Sequence, residues 1–265
     1  MSVHLADLKW KDVQALVRED PVAVVPIGAF EQHGHHLPLR VDAFLCGEVA
    51  RRSVEDAASR GAKAVVTPTV WTGYSPHHMD FPGTVTLDAE TFMSLVMHVA
   101  RSLHAHGFRK ILLLNGHGGN MNLLKTVVQR LRFEHDVDVA AASYWDFALD
   151  TIASWRQSDV GGINHAGEME TALMLALDPD AVDETAREDL YLERRRHLPA
   201  DLAVGGPVTR AATFAELSSH GAIGAPTLAT PERGQELLKA MVEAVSTFVQ
   251  DFAGWPNRTK GDGSA

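Results

Sequence analysis

The sequence predicts an α/β fold built on a mostly parallel sheet with helices on both faces. Three observations carry that reading. Short apolar runs rich in β-branched residues recur along the first 145 residues, a helical pattern follows each of the first three, and capping or stop residues mark the boundaries. Strands that alternate with helices of this length pair in parallel, because each helix returns the chain along a face of the sheet.

In order, "VAVVPIG" at 22–28 reads as a buried strand, and "AFLCGEVARRSVEDAASRG" at 43–61 as a helix closed by Gly61. "AKAVVTPTV" at 62–70 is the second strand. The stretch 87–107 opens on Asp88 as an N-cap, carries apolar residues at a three-to-four spacing and stops at Gly107. "RKILLLNG" at 109–116 is the third strand, 120–135 the third helix and "VDVAAASYW" at 137–145 the fourth strand. The stretch 144–166, with Trp145 and Trp155, reads as a loop. "AGEMETALMLAL" at 166–177 returns to helix, 183–232 reads as irregular, and 232–253 is a final amphipathic helix. There is no internal repeat and no composition break, so 1–254 reads as one domain and 255–265 as a flexible polar tail.

The chain has 265 residues, 45% of them hydrophobic, and a formal charge of −10. That balance argues against a nucleic-acid surface, which needs clustered Lys and Arg. The run Arg194–Arg195–Arg196 lies among acidic residues and reads as a solvated helix face. No apolar run approaches the ~18 residues of a membrane span. The single Cys46 excludes an internal disulfide and fits a reducing compartment, so a soluble cytoplasmic protein is expected. Within a helical pattern, Cys46 reads as a buried structural thiol.

The chemistry gathers in three places. "EQHGHHLPLRVDAF" at 31–44 follows the first strand; Glu31 and His33, two apart, point to one side of an extended chain, and Asp42 opens the next helix. "LLLNGHGGN" at 112–120 holds His117 at the tip of the third strand. "NHAGEMET" at 164–171 opens a helix with Glu168 and Glu170 about 200° apart around its axis, so that one can reach a metal while the other supports it. In parallel α/β sheets ligands bind at the carboxyl ends of strands. Two imidazoles and three carboxylates (Glu31, His33, Asp42, His117 and Glu168) suffice for two divalent ions if Asp42 bridges them. Nitrogen and oxygen ligands of this kind suit zinc, manganese or iron.

With these residues in view, the chain resembles the creatininase (creatinine amidohydrolase) family. The resemblance rests on "GAFEQHGHHLPLRVDAF" (28–44), "GYSPHHMDFPGTVTL" (73–87), "NGHGGN" (115–120), "HAGEMET" (165–171) and "GAIGAPTLATPERG" (221–234). It implies a three-layer α/β/α hydrolase with two metals, often a hexamer, acting on a small molecule. Glu31, Asp42 and His117 would hold one ion, and His33, Asp42 and Glu168 the other. Creatininase proper takes a carboxylate from the position of Gly119; here Glu168 is available instead, which argues against creatinine. The branch that matures a peptide-derived redox cofactor carries His at the position of Glu168, which argues against that role as well. Phe30, His77 and Ala225 also depart from the family pattern.

The implied mechanism uses a metal-bridging hydroxide on an amide carbonyl, with His165 giving a proton to the departing nitrogen. Ser75 and His78 would face the pocket, and Glu170 would support a ligand. The expected reaction is hydrolysis of a small cyclic amide, formamide or related C–N bond. Opening of a keto-inositol or lactone-like ring on the same site, and non-catalytic metal or ligand binding, are the alternatives.

Overall fold

A computed structural model describes residues 2–258. Four strands form one parallel sheet: β1 (Val22–Ile27), β2 (Ala64–Val66), β3 (Lys110–Asn115) and β4 (Val139–Ser143), in the order β2-β1-β3-β4. Val22 pairs with both Ala64 and Lys110, and Ile27 with Asn115. The chain leaves β1 for β2 on one side and reaches β3 on the other. The carboxyl ends of β1 and β3 therefore lie at the point where strand order reverses.

Both faces of the sheet are covered, which is why β1 and β3 read as continuous apolar runs rather than alternating ones. Val22, Val24, Leu112 and Leu114 pack with α2 (Val41–Ser59), α6 (Glu168–Leu177) and α8 (Pro231–Ala253). Ala23, Val25, Ile27, Ile111 and Leu113 pack with α3 (Ala89–Ala105) and α4 (Met121–His135). This is the three-layer α/β/α arrangement. Asp88 caps α3 as expected, its carboxylate accepting from the Thr91 N–H at 2.7 Å. Cys46 is buried; its thiol donates to the Leu114 carbonyl at 3.2 Å, and burial pushes it up to about 12.

The second and fourth strands are shorter than expected, 64–66 within 62–70 and 139–143 within 137–145, and four further stretches differ from the sequence reading. Residues 10–16, which carried no assignment, form a helix, α1 (Trp10–Leu16). The expected loop after β4 holds a 3₁₀ turn at Tyr144–Ala148 and a helix, α5 (Leu149–Trp155). Trp155 is a core residue there, its indole N–H donating to the Arg233 carbonyl at 2.9 Å. Arg194–Arg196 are exposed as expected, but on irregular backbone rather than a helix; the neighbouring helical element, α7, covers only Phe214–Leu217. At the other end, the Trp255 ring meets Phe248 and Phe252 edge-on, and Asn257 donates to Asp20, so the expected tail starts with an anchored stretch. Residues 259–265 of that tail lie outside the described residues.

The first turn of α2 is wedged between the ends of β1 and β3. A Cβ on Gly28 would sit 2.4 Å from Ala43 Cα, and one on Gly116 would sit 2.5 Å from Cys46 Cβ and 2.8 Å from the Asp42 carbonyl. Two positions without side chains therefore let the helix start come this close. Gly116→Ala is expected to lower unfolding free energy by about 1–3 kcal/mol in urea titrations; unchanged stability would mean that α2 moves aside at no cost.

Candidate metal centre

Each segment around the switch point contributes one part of a buried cluster. After β1, the chain turns through 28–30, and Glu31 N–H bonds the Leu39 carbonyl at 3.1 Å, closing the loop that carries Glu31 and His33. Asp42 is the second residue of α2, where a carboxylate is favoured by the helix dipole. Asn115 and Asn120 clamp the loop after β3. Asn115 donates to the His117 carbonyl at 2.7 Å, and Asn120 donates to the Gly28 carbonyl at 3.0 Å while accepting from the Tyr74 N–H at 2.9 Å. Glu170 sits in the first turn of α6, after a tight turn in which Ala166 takes φ +53° and donates its N–H to Glu170.

These pieces converge on Asp42. One of its carboxylate oxygens lies 3.1 Å from His33 Nε2, the other 3.1 Å from His117 Nδ1. Three triplets have ligand atoms within 4.8 Å of one another: Glu31–Asp42–His117, His33–Asp42–Glu170 and Glu31–His33–His165. Asp42 is common to the first two, and the third joins their outer members to His165. Each imidazole spends its other nitrogen on the backbone: His33 Nδ1 reaches the Glu31 carbonyl at 3.0 Å and His117 Nε2 the Tyr74 carbonyl at 3.1 Å. Donation there fixes the tautomer whose free lone pair faces the carboxylates, as in metal-ligating histidines.

A divalent ion fits this donor set on direct grounds. Both oxygens of Glu31 and one of Asp42 are buried without a hydrogen bond. The Nε2 of His78 and the Nδ1 of His117 approach Glu31 Oε1 to 3.1 and 3.3 Å without the alignment of one. Buried carboxylate oxygens without a partner are costly, and a shared cation satisfies them.

The electrostatics agree. Burial alone would lower His33, but the Asp42 carboxylate reverses this and lifts it to about 10. Burial likewise opposes charge on His117, and Glu31 and Asp42 raise it to about 9. Burial works against the Asp42 and Glu31 carboxylates too, and the facing imidazoles still hold both below their ordinary values. Burial raises Glu170 to about 7. The carboxylates thus favour positive charge on both imidazoles.

The sequence-predicted residues Glu31, His33, Asp42 and His117 all meet here. Glu168 does not. It is buried, but its two oxygens accept the N–H groups of Gln157 and Ser158 at 2.9 and 3.0 Å, so it fastens the 157–162 loop to α6. Glu170, expected as support, takes its place beside His33 and Asp42. Ser75 touches His117 Nε2 at 3.3 Å, and His78 stacks on Phe214 at 4.0 Å while facing Glu31. His165 borders the same space, 4.3 Å from the His33 ring. Its Nε2 reaches the Gln32 carbonyl at 2.7 Å, and its Nδ1 faces Glu31 at 3.6 Å. Burial, reinforced by His33 and His78, pushes His165 well below the usual imidazole range.

Sequence reasoning passed over Gln32. Its amide nitrogen meets His78 Nδ1 at 2.9 Å and donates to the Gly221 carbonyl at 2.9 Å, tying three loops together; its place between two ligand candidates was the available signal. The cavity above the cluster measures about 200 Å³ and is walled by Trp145, Asn164, Leu202 and Phe214.

The family model described as "Creatininase: Creatinine amidohydrolase" matches residues 6–249. The chain is similar to the creatinine amidohydrolase of Pseudomonas putida, 32% identical over 94% of this chain and 97% of that one. It is similar to the mycofactocin precursor peptide peptidase of Mycolicibacterium smegmatis, 34% identical over 87% of this chain and 85% of that one. Among solved structures, "Creatininase Mn" superposes with a TM-score of 0.78 at 32% identity, covering 96% of this chain and all of that one.

In metal-free protein the protonated His33 and His117 contribute stability that is complete below the free value of 6.5 and is lost as pH rises through about 9 and 10. Bound cations replace those protons. Chelator-treated protein should therefore lose melting temperature between about pH 7 and 10, and saturating zinc should flatten that slope. Equal slopes with and without zinc would contradict the assignment.

Proposed function

This chain belongs to the creatininase family and is a hydrolase acting on C–N bonds, and from that premise we propose that it hydrolyses a small amide-type substrate with two divalent ions. Glu31, Asp42 and His117 would hold one ion and His33, Asp42 and Glu170 the other. The observation that carries this reading is the Asp42 carboxylate, which faces both imidazoles from between them. Zinc, manganese and iron all suit the donors.

Bound at this position, the ions would acidify water and polarise a carbonyl. The protein groups do the rest. His165 keeps its Nε2 proton on the Gln32 carbonyl, which leaves the Nδ1 lone pair open toward the cluster. That nitrogen takes the proton of the attacking water and returns it to the departing nitrogen. Gln32 steadies His78, and His78 steadies Glu31. Phe214, Trp145 and Leu202 limit bulk water around the reacting bond.

The placement of Glu168 changes one argument about substrate. The case against creatinine took Glu168 as the replacement for the carboxylate missing at Gly119; with Glu168 tied to the Gln157 and Ser158 amides, Glu170 stands in that place. Gly119 still carries no carboxylate where creatininase proper has one.

Metal analysis separates the two glutamates. Glu170→Gln is expected to reduce bound metal from about two ions per chain to about one, whereas Glu168→Gln should lower stability and leave metal content intact; the opposite pattern would restore Glu168 as the ligand. His165→Ala should retain both ions and lose about 10²- to 10⁴-fold in kcat. Near-normal turnover in that variant would remove His165 from the chemistry.

A further inference from the structure

Near the cluster's own pocket lies a larger cavity of about 860 Å³, and Asn164, the residue before His165, lines both. The short helix α7 runs between them, with Phe214 on the metal side and Glu216 and Leu217 on the other. Arg194, Arg195, Arg196 and Arg210 line the larger cavity. A chain of net charge −10 has carboxylates to spare. Arg40, Arg51, Arg52, Arg60, Arg130 and Arg156 each pair with one. Among the described residues these four arginines pair with none, as is also true of Arg18, Arg101, Arg109, Arg233 and Arg258; what sets the four apart is that they gather on one cavity. Two carboxylates share the wall, Glu193 and Glu216, and that of Glu216 already accepts the Thr213 N–H at 2.7 Å. Four guanidiniums against two carboxylates leave the wall net positive.

We propose that this cavity is an anion subsite. The substrate carries a carboxylate or phosphate group that the four arginines hold while its C–N bond lies over the metal cluster. The proposal rests on the hydrolase reading for where the reacting bond lies, and adds the substrate class. Guanidinium forks match the paired oxygens of both groups, and several of them around one cavity select for charge before shape. A volume of this size holds a metabolite or a short peptide end, whereas about 200 Å³ holds little more than the reacting bond and its neighbours.

The test is calorimetric titration of metal-loaded full-length protein with two probes, tricarballylate and glucose 6-phosphate, at low and high salt. At least one probe should saturate, and its affinity should fall with salt because the guanidiniums are exposed. Whichever binds more tightly identifies the source of the anion. Arg194→Gln/Arg195→Gln/Arg196→Gln and, separately, Arg210→Gln should each weaken that binding by about tenfold or more, while Arg101→Gln on α3 leaves it unchanged. Circular dichroism and metal content, measured on the same samples, confirm folding and keep the two readings apart. Lost metal would fault the cluster. If neither probe saturates, or if binding ignores all four arginines as capture by the metals alone would, the subsite is rejected with the cluster intact.

Discussion

The buried cluster of this molecule is organised around one carboxylate held between two imidazoles. Asp42 can occupy that position because the first turn of α2 is pressed against the ends of β1 and β3, where Gly28 and Gly116 offer no side chain to resist it. The sheet's strand order sends the chain in opposite directions from those two strands and so opens the crevice that α2 fills. Fold and site are thus one constraint: the reversal of strand order makes the space, two glycines admit the helix, and the helix delivers the carboxylate that both imidazoles face.

The cost of this arrangement is visible around it. Glu31, His33, Asp42, His117 and Glu170 are all buried, and three carboxylate oxygens among them make no hydrogen bond. Burying that many ionisable groups destabilises a fold unless each meets an opposite charge. The supporting residues do not neutralise the cluster; they aim it. Backbone carbonyls orient His33 and His117, Ala166 holds Glu170, and Gln32 joins His78 to the loop at Gly221. A site aimed in this way suits cations, which would satisfy the oxygens left without a partner.

Much of this was legible in the sequence. The alternation of apolar runs and helical patterns specified the sheet and its covering helices, because burial on both faces writes itself into continuous apolar strands. Four members of the buried cluster were legible because each stands shortly after a strand or at a helix start. The choice between Glu168 and Glu170 was not. Helical geometry states that residues two apart diverge, but which one turns inward depends on the 157–162 loop, whose free N–H groups claim Glu168. No periodicity encodes that loop. The arginine run failed for a similar reason: its charges are clear in the sequence, but the irregular path that gathers Arg194–Arg196 with Arg210 around one cavity follows from tertiary packing alone.

The most direct measurement is the metal content of Asp42→Ala, by elemental analysis after loading with zinc or manganese. If Asp42 joins the two ion positions, the folded variant binds neither ion tightly. A variant that keeps one tightly bound ion would contradict the shared carboxylate on which this description rests.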